Sequence, residues 1–193
     1  NAGFEWGTPP GASLADICDI LAGLPLMFQP GTEWAYSMSI DVLGRVVEIL
    51  AGMTLGEFMK KRIFDPLGMT DTAFHCSADK ADRLAALYVP NPADKKILRN
   101  DAGAAGALNE PNAHMGGGGL VSTTSDYLKF AEMLRGGGEY NGTRILSNRT
   151  VAFMASNHLP NNADLTECGR PLFSETAFDG VGFGLGVSVT LDP

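Results

Sequence analysis

A single tyrosine carries the strongest chemical signal in this chain. The stretch Pro30-Gly31-Thr32-Glu33-Trp34-Ala35-Tyr36-Ser37-Met38-Ser39-Ile40-Asp41-Val42-Leu43-Gly44 sets Tyr36 at the seam between a polar turn and a strongly apolar segment. Pro30-Gly31 signals the turn, and Ile40, Leu43, Val46, Val47 and Leu50 follow at helical spacing. A phenol at such a seam stands on a rigid element and can face open space. That suits a proton-transfer residue whose pKa is held down by a cationic neighbour. Other reactive types are scattered. His75, His114 and His158 are far apart in the sequence, which gives no support to a metal cluster or a Ser-His-Asp triad. Cys18, Cys76 and Cys168 are odd in number and widely spaced, so they read as small packed thiols, neither a disulfide framework nor a zinc site. There is no G-x-S-x-G elbow.

The elements that must position Tyr36 are mostly helical. Residues 1–12 are Gly/Pro-rich and read as extended. Ser13 predicts an N-cap, with Asp16 closing a capping box, and Leu14, Ile17, Leu21 and Leu24 form an apolar stripe that ends near Pro25. A helix over 38–51 follows the tyrosine and stops at Gly52. Thr54 and Glu57 box the start of another, which carries Leu55, Phe58, Met59 and Phe64 and stops before Pro66. Residues 70–114 read as mostly irregular, with strand candidates near 72–75 and 86–89. Gly116 to Gly119 predict a hinge or a close backbone approach. Thr123 and Asp126 open a helix with Tyr127, Phe130, Ala131 and Leu134 on its inner face, ended by Gly136-Gly137-Gly138. Ser147 caps a helix through Phe153 and Met154, and 158–180 read as a loop. The alternation Phe183, Leu185, Val187, Val189, Leu191 predicts a half-buried strand. One strand cannot stand alone, so it calls for a sheet that the chain barely supplies. No internal repeat is present.

Composition bounds the function classes. With 193 residues, 45% apolar and 19% charged, the chain is long enough for one domain with a core. The net charge of −8 argues against nucleic acid or an anionic membrane surface as partner. No apolar run approaches the roughly 20 residues needed to span a bilayer. The chain opens on Asn1 without a charged and apolar leader, so no signal peptide is expected in it, and the compartment stays open between cytoplasm and periplasm. The sequons at Asn141 and Asn148 matter only in a eukaryotic secretory context, which nothing else supports.

The tyrosine segment resembles the P-G-x-x-W-x-Y-S motif of the serine β-lactamase and penicillin-binding protein superfamily, in the class C β-lactamase-like branch that includes family VIII carboxylesterases. The resemblance continues in order through Phe64-Asp65-Pro66-Leu67-Gly68-Met69-Thr70-Asp71-Thr72. It then takes in Gly116-Gly117-Gly118-Gly119-Leu120-Val121-Ser122-Thr123-Thr124-Ser125-Asp126-Tyr127 and the Gly182–Gly186 region. It implies a β-lactamase/transpeptidase-like α/β (α+β) fold, of which residues 1–193 form a partial serine hydrolase domain. This part would be most of the helical lobe plus some of the antiparallel sheet.

That family attacks with the serine of S-x-x-K and uses an oxyanion hole beside a K-T-G or H-x-G strand. Ser77-Ala78-Asp79-Lys80 matches the first pattern, but it follows the tyrosine motif, whereas the family places its nucleophile before it. Its charged surroundings read as a capped helix start with a solvated Lys80. Ser125-Asp126-Tyr127 reads as helix-start chemistry and His114-Met115-Gly116 precedes a helix; no K-T-G is present.

The resemblance therefore implies a fold lacking its nucleophile and K-T-G-like segments, and a chain inactive by itself. Tyr36 is the implied catalytic residue, exchanging a proton with nucleophile and leaving group. It should point into the active cleft, with 116–123 nearby. Trp34 and Met38 are implied substrate contacts. β-Lactamases carry Asn at the Met38 position to bind a substrate amide, and a thioether cannot replace it. This favours esters over β-lactams as the small-molecule substrate, through an acyl-serine intermediate and with no cofactor or metal. A D-amino-acid peptidase, β-lactamase or transacylase of the same superfamily, or a non-catalytic scaffold, are the alternatives. Apolar surface left open would be covered by self-association or by pairing with the absent segments.

Overall fold

The computed structural model describes residues 9–169 and 178–191. The chain divides into two compact units, one of Asn1–Asp19 with Ile40–Leu128, the other of Ile20–Ser39 with Lys129–Pro193.

In the first unit, Ser13 and Asp16 form the expected box: the Ser13 N–H donates to Asp16 at 2.9 Å and the Asp16 N–H to the Ser13 hydroxyl at 3.2 Å. Helix α1, Leu14–Ala22, buries Leu14 and Ile17. The stripe ends early, since Leu24 lies beyond the helix and is exposed. Helix α2, Ser39–Ala51, buries Asp41 and Gly44. Thr54 and Glu57 make a reciprocal capping box at α3, Leu55–Met59. The helical path does not stop before Pro66. It widens into a π turn, Lys60–Phe64, and continues as α4, Asp65–Leu67, before Gly68 ends it at φ 65°. Proline lacks an N–H and is tolerated in a first turn, and the shifted π register gives it that position. Leu55, Phe64, Leu67, Met69 and Phe74 are buried here with Leu14 and Ile17.

Residues 70–114 hold more structure than their composition suggests. Ala73 and Val121 bridge antiparallel through paired bonds of 3.1 and 2.8 Å. A 3-10 helix covers Ala78–Arg83. Strands β1, Tyr88–Pro90, and β2, Ile97–Arg99, form an antiparallel hairpin. Helix α5, Asp101–Gly106, is capped by Asn100, whose side chain accepts from the Gly103 N–H at 2.9 Å.

Helix α6, Thr124–Arg135, runs from the first unit into the second. Its buried face differs from the expected one: Asp126 and Met133 are buried, whereas Tyr127 and Ala131 are exposed. Two donors explain the turn of the face. Asp126 accepts from the Asp71 N–H at 2.7 Å and from the Thr72 hydroxyl at 3.1 Å.

In the second unit, β3, Glu139–Tyr140, and β4, Thr143–Arg144, close over Asn141 and Gly142, both at positive φ. That is the Asn-Gly hairpin signal. Helix α7, Asn148–Met154, starts at Ser147 as expected. The segment read as loop carries α8, Leu165–Cys168, boxed by Asp164 and Glu167; its residues 170–177 lie outside the described set. The terminal alternation is two strands: β5, Val181–Phe183, pairs with β6, Ser188–Thr190. The partner that seemed missing is thus supplied across Gly184–Val187. The described strands form three separate two-stranded antiparallel pieces among helices.

Candidate functional site

The tyrosine segment is built by a staple and a cap. Gly31 takes φ 85°, and the Thr32 N–H and hydroxyl both donate to the Gln29 carbonyl, at 3.2 and 2.8 Å. The Trp34 N–H then donates to the Cys168 carbonyl at 2.9 Å, in a parallel bridge with Gly169. The Trp34 ring lies 5.2 Å from that of Phe183, tilted by 59°. Three residues on, Ser37 turns the chain into α2: its hydroxyl accepts from the Ser39 N–H at 3.2 Å and pairs with the Ser39 hydroxyl at 2.7 Å. Tyr36 sits between these fixed points and is 67% exposed, whereas Trp34 and Met38 are half-buried. The backbone on either side of Tyr36 is thus fixed by hydrogen bonds.

The glycine-rich segment is anchored in the first unit. Asp41, buried in the first turn of α2, accepts from the Gly117 N–H at 2.8 Å. A Cβ at Gly116 would lie 2.2 Å from the Ile40 carbonyl oxygen, so only glycine permits this approach. The close backbone approach expected of the glycine run is met here.

The serine–lysine pattern at Ser77 makes no nucleophile pair. Lys80 Nζ donates to the Thr70 carbonyl at 2.6 Å and lies 2.9 Å from Asp71. Arg83 grips the same carboxylate with two bonds, of 3.0 and 2.7 Å. Lys80 is therefore engaged, contrary to the solvated expectation, and its partner is Asp71. The Arg83 fork, with Lys80 second, holds the Asp71 carboxyl well below the usual carboxylate range. Ser77 precedes the 3-10 helix without a side-chain cap bond, and Asp79 is lowered chiefly by bonding to Ser77. Ser125 lies in the first turn of α6, where Thr123 accepts from the Asp126 N–H at 3.2 Å.

Two histidines that look isolated in sequence meet through one carboxylate. Glu110 bridges His75 Nδ1 and His114 Nε2, the latter at 2.8 Å. His114 Nδ1 accepts from the Gly56 N–H at 3.1 Å, and Phe74 stacks on its ring at 4.4 Å. The proton of His114 is therefore on Nε2, donating to Glu110, which leaves that imidazole no lone pair for a metal. Among the described residues, no three His, Cys, Asp or Glu side chains are arranged to hold one. The cluster lines a cavity of about 430 Å³ in the first unit, with Lys60 and Asp65 on its wall. Neither contact was legible in the sequence: Glu110 and His114 lie outside any helix, where a four-residue spacing signals no contact, and His75 arrives through tertiary folding.

The β-lactamase family model matches residues 1–189. This chain belongs to the β-lactamase family. The Mycobacterium tuberculosis protein Rv1367c is 40% identical over 174 residues, 90% of this chain and 42% of that protein. Lovastatin esterase of Penicillium rubens is 38% identical over 181 residues, 87% of this chain and 43% of the esterase. The solved structure of EstCE1, a hydrolase with promiscuous acyltransferase activity, superposes with TM-score 0.70 at 28% identity, covering 94% of this chain and 47% of EstCE1. The β-lactamase/transpeptidase-like fold follows from these matches, and this family chain spans less than half the length of each. No helix among the described residues is long and apolar enough to cross a membrane.

Proposed function

We propose that residues 1–193 are part of a serine hydrolase that acts on small esters through an acyl-serine intermediate. Tyr36 is its proton-transfer residue, and Trp34 and Met38 contact the substrate. The observation that carries this reading is the similarity to lovastatin esterase over 181 residues. The local geometry agrees, since the phenol is exposed between a stapled tryptophan and a capped helix. Met38 offers a substrate amide no strong hydrogen-bond partner, which favours esters over β-lactams. EstCE1 also transfers acyl groups, so an alcohol acceptor in place of water is part of the same reading.

With Lys80 committed to Asp71, the nucleophile comes from polypeptide outside residues 1–193. Intact mass after fluorophosphonate treatment tests this directly: the isolated chain gains no adduct and does not turn over p-nitrophenyl butyrate. A stoichiometric adduct on Ser77 would overturn the assignment. In a polypeptide that also carries the family's S-x-x-K segment, Tyr36→Phe lowers kcat by roughly 10²- to 10⁴-fold, the ordinary contribution of a positioned acid–base. A kcat within twofold of wild type would remove Tyr36 from the chemistry.

A further inference from the structure

One side-chain amide holds the aromatic pair that lies two residues before Tyr36. The Trp34 ring has Phe183 at 5.2 Å, and consecutive residues grip both backbone groups of Phe183. Its N–H donates to Asn157 Oδ1 at 3.0 Å, and its carbonyl accepts from the His158 N–H at 2.8 Å. Asn157 uses its whole hydrogen-bonding capacity. Its Oδ1 also accepts from the Leu159 N–H at 3.2 Å, and its Nδ2 donates to Asn162 Oδ1 at 3.2 Å and to the Ala163 carbonyl at 2.9 Å. Strand β5 passes directly against this amide: a Cβ at Gly182 would stand 2.5 Å from Asn157 Oδ1. Asp164 adds a second grip just before the strand, where its Oδ2 accepts from the Gly180 N–H at 2.9 Å. Asp164 also caps α8, whose last residue, Cys168, holds the Trp34 N–H. The segment 157–168 therefore carries both members of the pair, Phe183 through Asn157 and Trp34 through Cys168.

We propose that Asn157 is a positioning residue for the ester site: acting through Phe183, it sets the Trp34 ring against the bound substrate. The proposal rests on the reading above of Trp34 as a substrate contact. Asn157 itself touches no reacting atom. Three of its bonds stay within residues 157–163 and shape that loop. The fourth crosses 26 residues to Phe183, and it is the one that reaches the aromatic pair. An amide supplies donors and acceptors from one planar group, whereas a carboxylate has no donor and an aliphatic side chain has neither. Without its N–H anchor Phe183 moves away, and Trp34 loses the neighbour against which its ring is tilted by 59°. A wall residue touches the substrate before and during the reaction alike, so its displacement is felt in KM and leaves kcat unchanged.

The test uses the polypeptide that also carries the family's S-x-x-K segment, with Asn157→Ala, Phe183→Leu and the two combined. Each single variant is expected to raise KM for p-nitrophenyl butyrate about two- to tenfold, the range that one aromatic contact supports. Turnover per fluorophosphonate-titrated site stays within about twofold of wild type. The double variant is no worse than the stronger single one, because both substitutions break the same connection. Phe183→Tyr, which keeps the ring, retains the wild-type KM. A second readout needs no turnover: the indole N–H resonance of Trp34, identified by Trp34→Phe, shifts in Asn157→Ala in the same direction as in Phe183→Leu. An unchanged KM in either single variant overturns the proposal, as do additive effects in the double variant. Fewer titratable sites at unchanged KM, the mark of a merely structural role, overturn it too, and so does an unmoved indole resonance in Asn157→Ala. A wild type that takes no fluorophosphonate adduct sinks the acyl-serine reading, and the indole shift then decides by itself whether Asn157 places Trp34.

Discussion

Helices α1 and α2 carry the same kind of apolar periodicity and use it in opposite ways. α1 buries Leu14 and Ile17, which are 2% and 0% exposed. α2 turns its aliphatic residues outward and buries a carboxylate and a glycine. Periodicity announces a helix with two unlike faces without saying which face this stretch of chain covers. In α2 the choice follows from hydrogen bonds. Buried Asp41 accepts from the Gly117 N–H, and Gly44 lets Leu55 and Gly116 approach.

The contrast can be broken most directly by truncating one residue from each helix. Ile17→Ala is expected to cost about 2–5 kcal/mol in urea unfolding, and Leu50→Ala less than about 0.5 kcal/mol. Comparable losses would mean that α2's stripe is covered in the isolated chain. A smaller effect sharpens the account of α2's inner face. Asp41→Ala removes the acceptor of the Gly117 N–H and is expected to cost about 0.5–1.5 kcal/mol, with faster amide exchange at Gly117. Asp41→Asn, which keeps an acceptor oxygen, recovers part of that loss. An Asp41→Ala chain as stable as wild type would remove the polar anchor from the explanation.

The smallest effect concerns acid sensitivity outside both helices. Arg83 and Lys80 depress the Asp71 carboxyl in the folded state. Its stabilisation is therefore present above the unfolded value near about 3.9 and is lost as pH falls below it. Asp71→Asn should flatten the stability curve below about pH 4 and leave its shape near neutrality unchanged. An unaltered acid limb in the melting series would show that the pair contributes nothing there.

Local chemistry was readable residue by residue. The boxes at Ser13–Asp16 and Thr54–Glu57 and the cap at Ser147 follow from side chains within a few positions of the backbone they serve, whereas the close approach at the glycine run was signalled by composition and completed by Ile40 and Asp41 far away in the chain. Errors arose where distant residues decide. Asp71 and Thr72 rotated the buried face of α6. Gly184–Val187 folded one apparent strand into a hairpin. Glu110 joined two histidines that sequence spacing kept apart.

By itself the sequence determined that helices dominate, where most of them begin, and that Tyr36 stands at a turn into one of them, because propensity, capping and turn chemistry act over a few residues. It also carried the family resemblance, since motif order is a property of the chain. Long-range folding placed Lys80 on Asp71, stapled Trp34 to Cys168 and left the aliphatic face of α2 exposed. Each of these depends on which groups meet across the chain, and burial and hydrogen-bond satisfaction are settled only by that meeting.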